Sequence, residues 1–166
     1  MNRSHYSLLL YLLLPLIVVK LLWRGMRSPD YLKRWGERFG LYRGDSPKIQ
    51  VWLHAVSVGE FIAAVPLIRS LLEEIPADQL LITTTTPTGS ARVKAEFGDA
   101  LHHVYLPYDL PGAVRRFLRH YQPELGVVME TEIWPNLFHA CSHQQTTLVL
   151  ANVRLSQRSL EGYQRR

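Results

Sequence analysis

The chain has 166 residues, 47% of them hydrophobic and 20% charged, with a net charge of +5. That composition excludes a disordered chain, and beyond the first two dozen residues the length suits one domain with a core rather than two. A single cysteine, Cys141, excludes an internal disulfide, while the excess of basic residues favours anionic partners: phospholipid, phosphorylated sugar or nucleic acid.

The chain opens on SHYSLLLYLLLPLIVVKLLW. The unbroken apolar run, Leu8 to Val19, is short for a bilayer. Tyr6, Leu21, Leu22 and Trp23 bring it near the roughly 20 residues that a spanning helix needs, with Tyr6 and Trp23 placed for the two interfaces. Pro15 is tolerated in lipid. A cleaved leader would end in small residues, whereas this run ends in KLLWRGMRS. Residues 1–24 therefore read as an uncleaved anchor that spans once or lies in the interface; a buried helix of a soluble core is the plainer alternative.

A basic segment follows, residues 25–48. Arg27, Lys33, Arg34, Arg38, Arg43 and Lys48 continue the charge begun by Lys20 and Arg24. The positive-inside tendency puts this side in the cytoplasm, and anionic headgroups would attract it by about 1 kcal/mol per basic residue near the surface. Its YLKRWGERFG stretch reads either as a solvated basic helix or as a contact with phosphorylated lipid.

From Ile49 the pattern alternates. Ile49–Ala55 has strand composition, and a helix is expected from about Glu60 to Glu74, with Pro66 kinking it or marking its first turns. Leu80–Thr86 is a β-branched strand, followed by a short helix that stops at Gly98. His103–Leu106 is a third strand, with His102 and His103 at a strand edge. Pro111–Tyr121 is a basic helix with proline in its first turn. Leu125–Glu130 is a fourth strand, about Pro135 to His143 a helix and Thr146–Val153 a fifth strand. Another helix is expected to begin in LSQRSLEGYQRR. Repeated strand–helix units predict an α/β fold, a Rossmann-like parallel sheet with helices on both faces. Ligands in such sheets bind beyond the C-terminal ends of the strands, which selects His54–Glu60, Thr84–Ser90, Pro107–Asp109, Glu130–Asn136 and Asn152–Ser156.

Several motifs are missing: the dinucleotide fingerprint, the phosphate loop and the G-x-S-x-G elbow. HACSH carries metal-capable side chains, but on a helix His139 and His143 share a face while Cys141 points elsewhere, so no metal site is expected. HAVSVGEFIAA raises a sharper question. Ser57 and Glu60 fit the capping box, with Ser57 accepting from the Glu60 amide and Glu60 reaching back to the Ser57 amide. A cap alone explains the pattern. Its place at the mouth of the sheet also suits a base, because a helix N-terminus favours the ionised carboxylate and Gly59 leaves room beside the backbone. Glu130 and Glu132, in METEIWPN, follow another strand at the same mouth, and paired carboxylates suit acid–base work on a hydroxyl.

RWGERFG, HAVSVGE, TTTTPTGS, VYLPYDLP, METEIWPN and ANVRLSQRS, following an N-terminal anchor in this order and spacing, closely resemble the 3-deoxy-D-manno-octulosonic acid (Kdo) transferases of Gram-negative bacteria over nearly the whole chain. The resemblance implies an inverting glycosyltransferase with two Rossmann-like domains facing a cleft, the GT-B arrangement. Residues 49–166 would be its N-terminal acceptor domain, with the second, nucleotide-binding domain absent and this chain alone inactive. The reaction implied moves Kdo from CMP-Kdo to the lipid A precursor at the cytoplasmic face of the inner membrane, with no metal or redox cofactor. In that reading Glu60 is the general base and Glu130 assists at the transition state. Ser57, Gly59, Arg34, Arg38, Thr88 and Arg154 are candidate acceptor contacts, although the resemblance assigns no individual role to the arginines. Partners would be the lipid A precursor, membrane phospholipid and CMP-Kdo held through the second domain, and not nucleic acid. Two alternatives stay open: a membrane-anchored binding module without catalysis, and an unrelated parallel-sheet protein in which Glu60 only caps a helix.

Overall fold

The computed structural model describes residues 2–153. Arg154 and the helix expected in LSQRSLEGYQRR lie outside the described residues. The element order is α1 (Arg3–Arg27), β1 (Val51–His54), α2 (Val58–Glu74), β2 (Leu80–Thr84), α3 (Pro87–Phe97), β3 (His102–Tyr105), α4 (Pro111–Tyr121), β4 (Leu125–Met129), α5 (Pro135–His143) and β5 (Thr147–Ala151). All strand pairs are parallel and the sheet order is β3-β2-β1-β4-β5.

The period-two alternation of each strand divides the core into two layers. Val51 and Leu53 join Leu80, Ile82 and Val127 under α2 and α3, which contribute Phe61, Ala64, Ile68 and Val93. Trp52 and Leu81 face the other way, onto Val114, Phe117 and Leu118 of α4 and Leu137 and Cys141 of α5. Helices thus cover both faces. Gly126 on β4 lies in register with Trp52 on β1. A Cβ there would meet Leu148 at 2.6 Å and the indole at 2.8 Å, so only glycine admits the buried tryptophan. The indole Nε1 donates to Thr83 Oγ1 at 2.7 Å, which satisfies its polar edge inside the core.

Two local expectations change. α2 begins at Val58 because Ser57, extended, caps it, so Pro66 lies in the helix interior rather than in its first turns. YLKRWGERFG forms no α-helix; a 3-10 turn at Pro29–Tyr31 leads into it and another spans Trp35–Phe39. Gly36 and the left-handed Gly40 interrupt helical continuity there, and Arg38 is buried rather than solvated. The segment instead covers the sheet edge. Glu37 Oε2 accepts from the Tyr105 amide at 2.8 Å, and Arg34 Nη2 donates to the His103 carbonyl at 2.7 Å. These are backbone groups that an edge strand would otherwise leave open.

Candidate functional site

The chain runs from β1 through β2 to β3 on one side, then returns to place β4 and β5 on the other. β1 and β4 are neighbours across that reversal, the position at which open α/β sheets form a crevice at their C-terminal ends. Glu60 follows β1, and Glu130 and Glu132 follow β4. The rim of the sheet therefore brings together two segments that are 70 residues apart in sequence.

Ser57 Oγ accepts from the Glu60 amide at 3.2 Å, as a cap should. Glu60 Oε2 accepts from the amide of Val56 at 2.8 Å rather than from that of Ser57. Its Oε1 accepts no hydrogen bond from the described residues. The side chain is 8% exposed, and Gly59 beside it is open, a Cβ there meeting only Ser57 Oγ at 3.8 Å. Glu130 takes a left-handed backbone (φ 59°), with its amide bonded to the Ala151 carbonyl at 2.8 Å. That conformation is uncommon outside glycine. It turns the chain sharply at the end of β4. Burial raises the pKa of Glu132, and the negative charges of Glu60 and Glu130 raise it further. The nearby Trp134 indole pulls the other way without reaching hydrogen-bond geometry. Glu132 therefore feels both other carboxylates at this mouth.

Against known sequences, the family described as 3-deoxy-D-manno-octulosonic-acid transferase (kdotransferase) matches residues 33–166. The chain belongs to the Kdo transferase family. It is 47% identical over 165 residues to the 3-deoxy-D-manno-octulosonic acid transferase of Haemophilus influenzae, covering 98% of this chain and 39% of the relative. To the enzyme of that name from Bordetella pertussis it is 41% identical over 170 residues, covering 96% and 39%. To the probable mitochondrial one of Arabidopsis thaliana it is 39% identical over 160 residues, covering 95% and 36%. The chain thus spans about two fifths of the length of the Kdo transferases it matches.

The remaining candidates scatter around the rim. Ser57 and Gly59 stand with Glu60. Thr88 is exposed in the first turn of α3, its hydroxyl donating to Thr86 Oγ1 at 3.2 Å. Arg34 is held at the β3 edge, its Nε 2.7 Å from Glu37 Oε1. Arg38 is buried, with Nη1 donating to the Thr85 carbonyl at 2.9 Å and its guanidinium 4.3 Å from the centre of the Tyr105 ring. Arg154 lies outside the described residues. His139 and His143 pack edge to face at 4.3 Å while Cys141 is buried on the other side of α5. Among the described residues, no three His, Cys, Asp or Glu side chains are grouped to hold a metal ion.

Two residues inside the rim segments that the sequence selects have roles it does not show. Asp109, after β3, is buried and accepts from the amides of Asn136 at 3.0 Å and Leu137 at 2.8 Å, so it caps α5 from another loop. No local pattern signals a cap supplied from that distance. His54 ends β1 beneath the rim, wholly buried beside Thr83, and burial lowers its pKa to about 4. The other element at the rim is α1, the one helix among the described residues long and apolar enough to cross a membrane. It lies along the strand ends. Ser7 donates to Asn136 Oδ1 at 2.9 Å, Leu21 is buried against the rim, and Leu8, Leu12, Leu16, Val19, Trp23 and Met26 form an exposed apolar stripe.

Proposed function

We propose that these residues are the acceptor-binding, base-carrying part of an inverting glycosyltransferase that moves Kdo from CMP-Kdo to the lipid A precursor. The observation that carries this is Glu60: a carboxylate at the β1–β4 crevice, one oxygen anchored by the Val56 amide and the other unengaged by the described residues. A sugar hydroxyl is a poor nucleophile. Glu60 removes its proton as the oxygen attacks the anomeric carbon of Kdo, and CMP leaves with the bonding electrons. Glu60 stands in the first turn of α2, the end of a helix that favours negative charge. Glu130, across the crevice, assists as positive character develops on the donor sugar.

The nucleotide of CMP-Kdo would be held by a second domain of the kind implied by the relatives' greater length. The exposed stripe of α1 and the basic residues beside it suit the cytoplasmic face of the inner membrane. The deciding experiment is Glu60→Gln in a chain extended to the length of its relatives. Gln keeps the acceptor for the Val56 amide and cannot take a proton, so kcat should fall by roughly 10²–10⁴ with folding unchanged. Undiminished transfer would leave Glu60 as a cap only. The 166 residues assayed by themselves should transfer no Kdo.

A further inference from the structure

Between α1 and the strand ends lies a cavity of about 320 Å³, walled by Lys20, Arg24, Tyr31, Arg38, Tyr108 and Trp134 and reaching Val56 beside the Glu60 loop. None of its lining residues is acidic. It holds unanswered donors. Arg38 is 4% exposed, and its Nε and Nη2 have no hydrogen-bond partner; the buried Nε1 of Trp134 also has none. More than nine in ten buried polar groups are paired in folded proteins, so the unpaired edge of an arginine that lines a cavity calls for an explanation. Nε and Nη2 form one edge of the guanidinium, the fork that meets two oxygens of an oxyanion, while Nη1 is already fixed on Thr85. That bond and the Tyr105 ring hold the fork in place before any ligand arrives. Among the described residues Lys20, Arg24 and Arg38 form no ion pair. Burial of an uncompensated guanidinium is costly, and an anion removes that cost. The volume stands at the lower end for ligand pockets and suits a headgroup rather than a whole lipid.

We propose that this cavity binds the phosphate of a membrane-held amphiphile, with the Arg38 fork gripping two of its oxygens and Lys20 and Arg24 closing over it from α1. Two cations come from the helix with the exposed apolar stripe, which puts the cavity where a lipid headgroup would be. Three cations suit a dianionic phosphate better than a single carboxylate. The site rests on the reading above only for the identity of the amphiphile, which is either the lipid A precursor or ordinary acidic phospholipid.

The test measures binding by calorimetry in a phosphate-free detergent, with no donor sugar, so failure of Glu60 as a base leaves it untouched. The probes are the phosphorylated lipid A precursor, the same lipid after phosphatase treatment, and phosphatidic acid. The phosphorylated precursor should bind at least tenfold tighter than its dephosphorylated form. Arg38→Gln should abolish that preference, and the paired Lys20→Gln and Arg24→Gln changes on the exposed helix should cut it severalfold. Phosphatidic acid binding as tightly as the precursor, with the same loss in the variants, supports the site with bulk lipid as its source; weaker binding supports the precursor. Equal affinity with and without phosphate, or a preference that survives in a folded Arg38→Gln chain, overturns the proposal. Should Arg38→Gln not fold, an unchanged preference in the paired α1 variant overturns it instead.

Discussion

Along the β3 edge the charges of RWGERFG answer one another. Arg34 meets Glu37, and both clasp the open backbone of the strand. Between β1 and β4 the acidic side chains do the opposite. Glu132 lies close enough to Glu60 and Glu130 to feel both charges, and among the described residues none of the three forms an ion pair. Both regions are polar segments at the sheet's margin, yet one is closed on itself and the other is left open. Charge neutralised within the fold stabilises; charge held close to like charge lowers stability, and its retention calls for a role outside folding.

Neutralising one member of each region separates them most sharply. In a chain extended to the relatives' length, Glu130→Gln should lower kcat by about 100-fold, close to 2.7 kcal/mol. Its Tm should be unchanged or raised, because repulsion with Glu132 is relieved. A lowered Tm with transfer intact would make the mouth another structural clasp.

Acid should strike the β1 end next. The depressed pKa of His54, about 4 against 6.5 unfolded, means that the unfolded chain binds more protons between those values. The stability due to the neutral imidazole is complete above pH 6.5 and is lost as pH falls toward 4, on the order of 3 kcal/mol. Glu132 works in the opposite sense: its folded pKa is raised, so protonation on acidification favours the fold. Denaturant melts from pH 7 to 4 should therefore show a falling ΔG that His54→Gln flattens. A slope identical in that variant would remove His54 as the cause.

Glu37→Gln should cost about 1–2 kcal/mol through its weakened bonds to Arg34 and the Tyr105 amide, with kcat preserved. A loss of transfer would show that the edge clasp reaches the site. Ser57→Ala is the mildest change, removing one cap for about 1 kcal/mol. If it slowed transfer as much as Glu60→Gln, the cap and the base could not be told apart.

Sequence periodicity was enough for the body. α4 and α5 run over the residues their patterns mark, Pro111–Tyr121 and Pro135–His143; β1, β2, β4 and β5 sit inside the expected apolar runs, and β3 begins one residue early, at His102. The rim followed from one topological rule, because strand ends carry their loops to a common side. What stayed illegible depends on contacts between distant segments. YLKRWGERFG has helix-like spacing of basic and aromatic residues, but Gly36 and Gly40 were the readable warning against a helix. Its real partner, the free side of β3, is set by sheet order. The cap of Asp109 on α5 and the burial of Arg38 are invisible for the same reason.

The 25-residue α1 is tied to the domain at both ends, by Ser7 on Asn136 and by Leu21 near its other end. Standing upright through a bilayer would require the Ser7 end to let go; lying flat requires nothing. A recumbent α1 would draw the strand ends down with it to headgroup depth, setting the cavity beside Arg38 level with the polar groups of the bilayer.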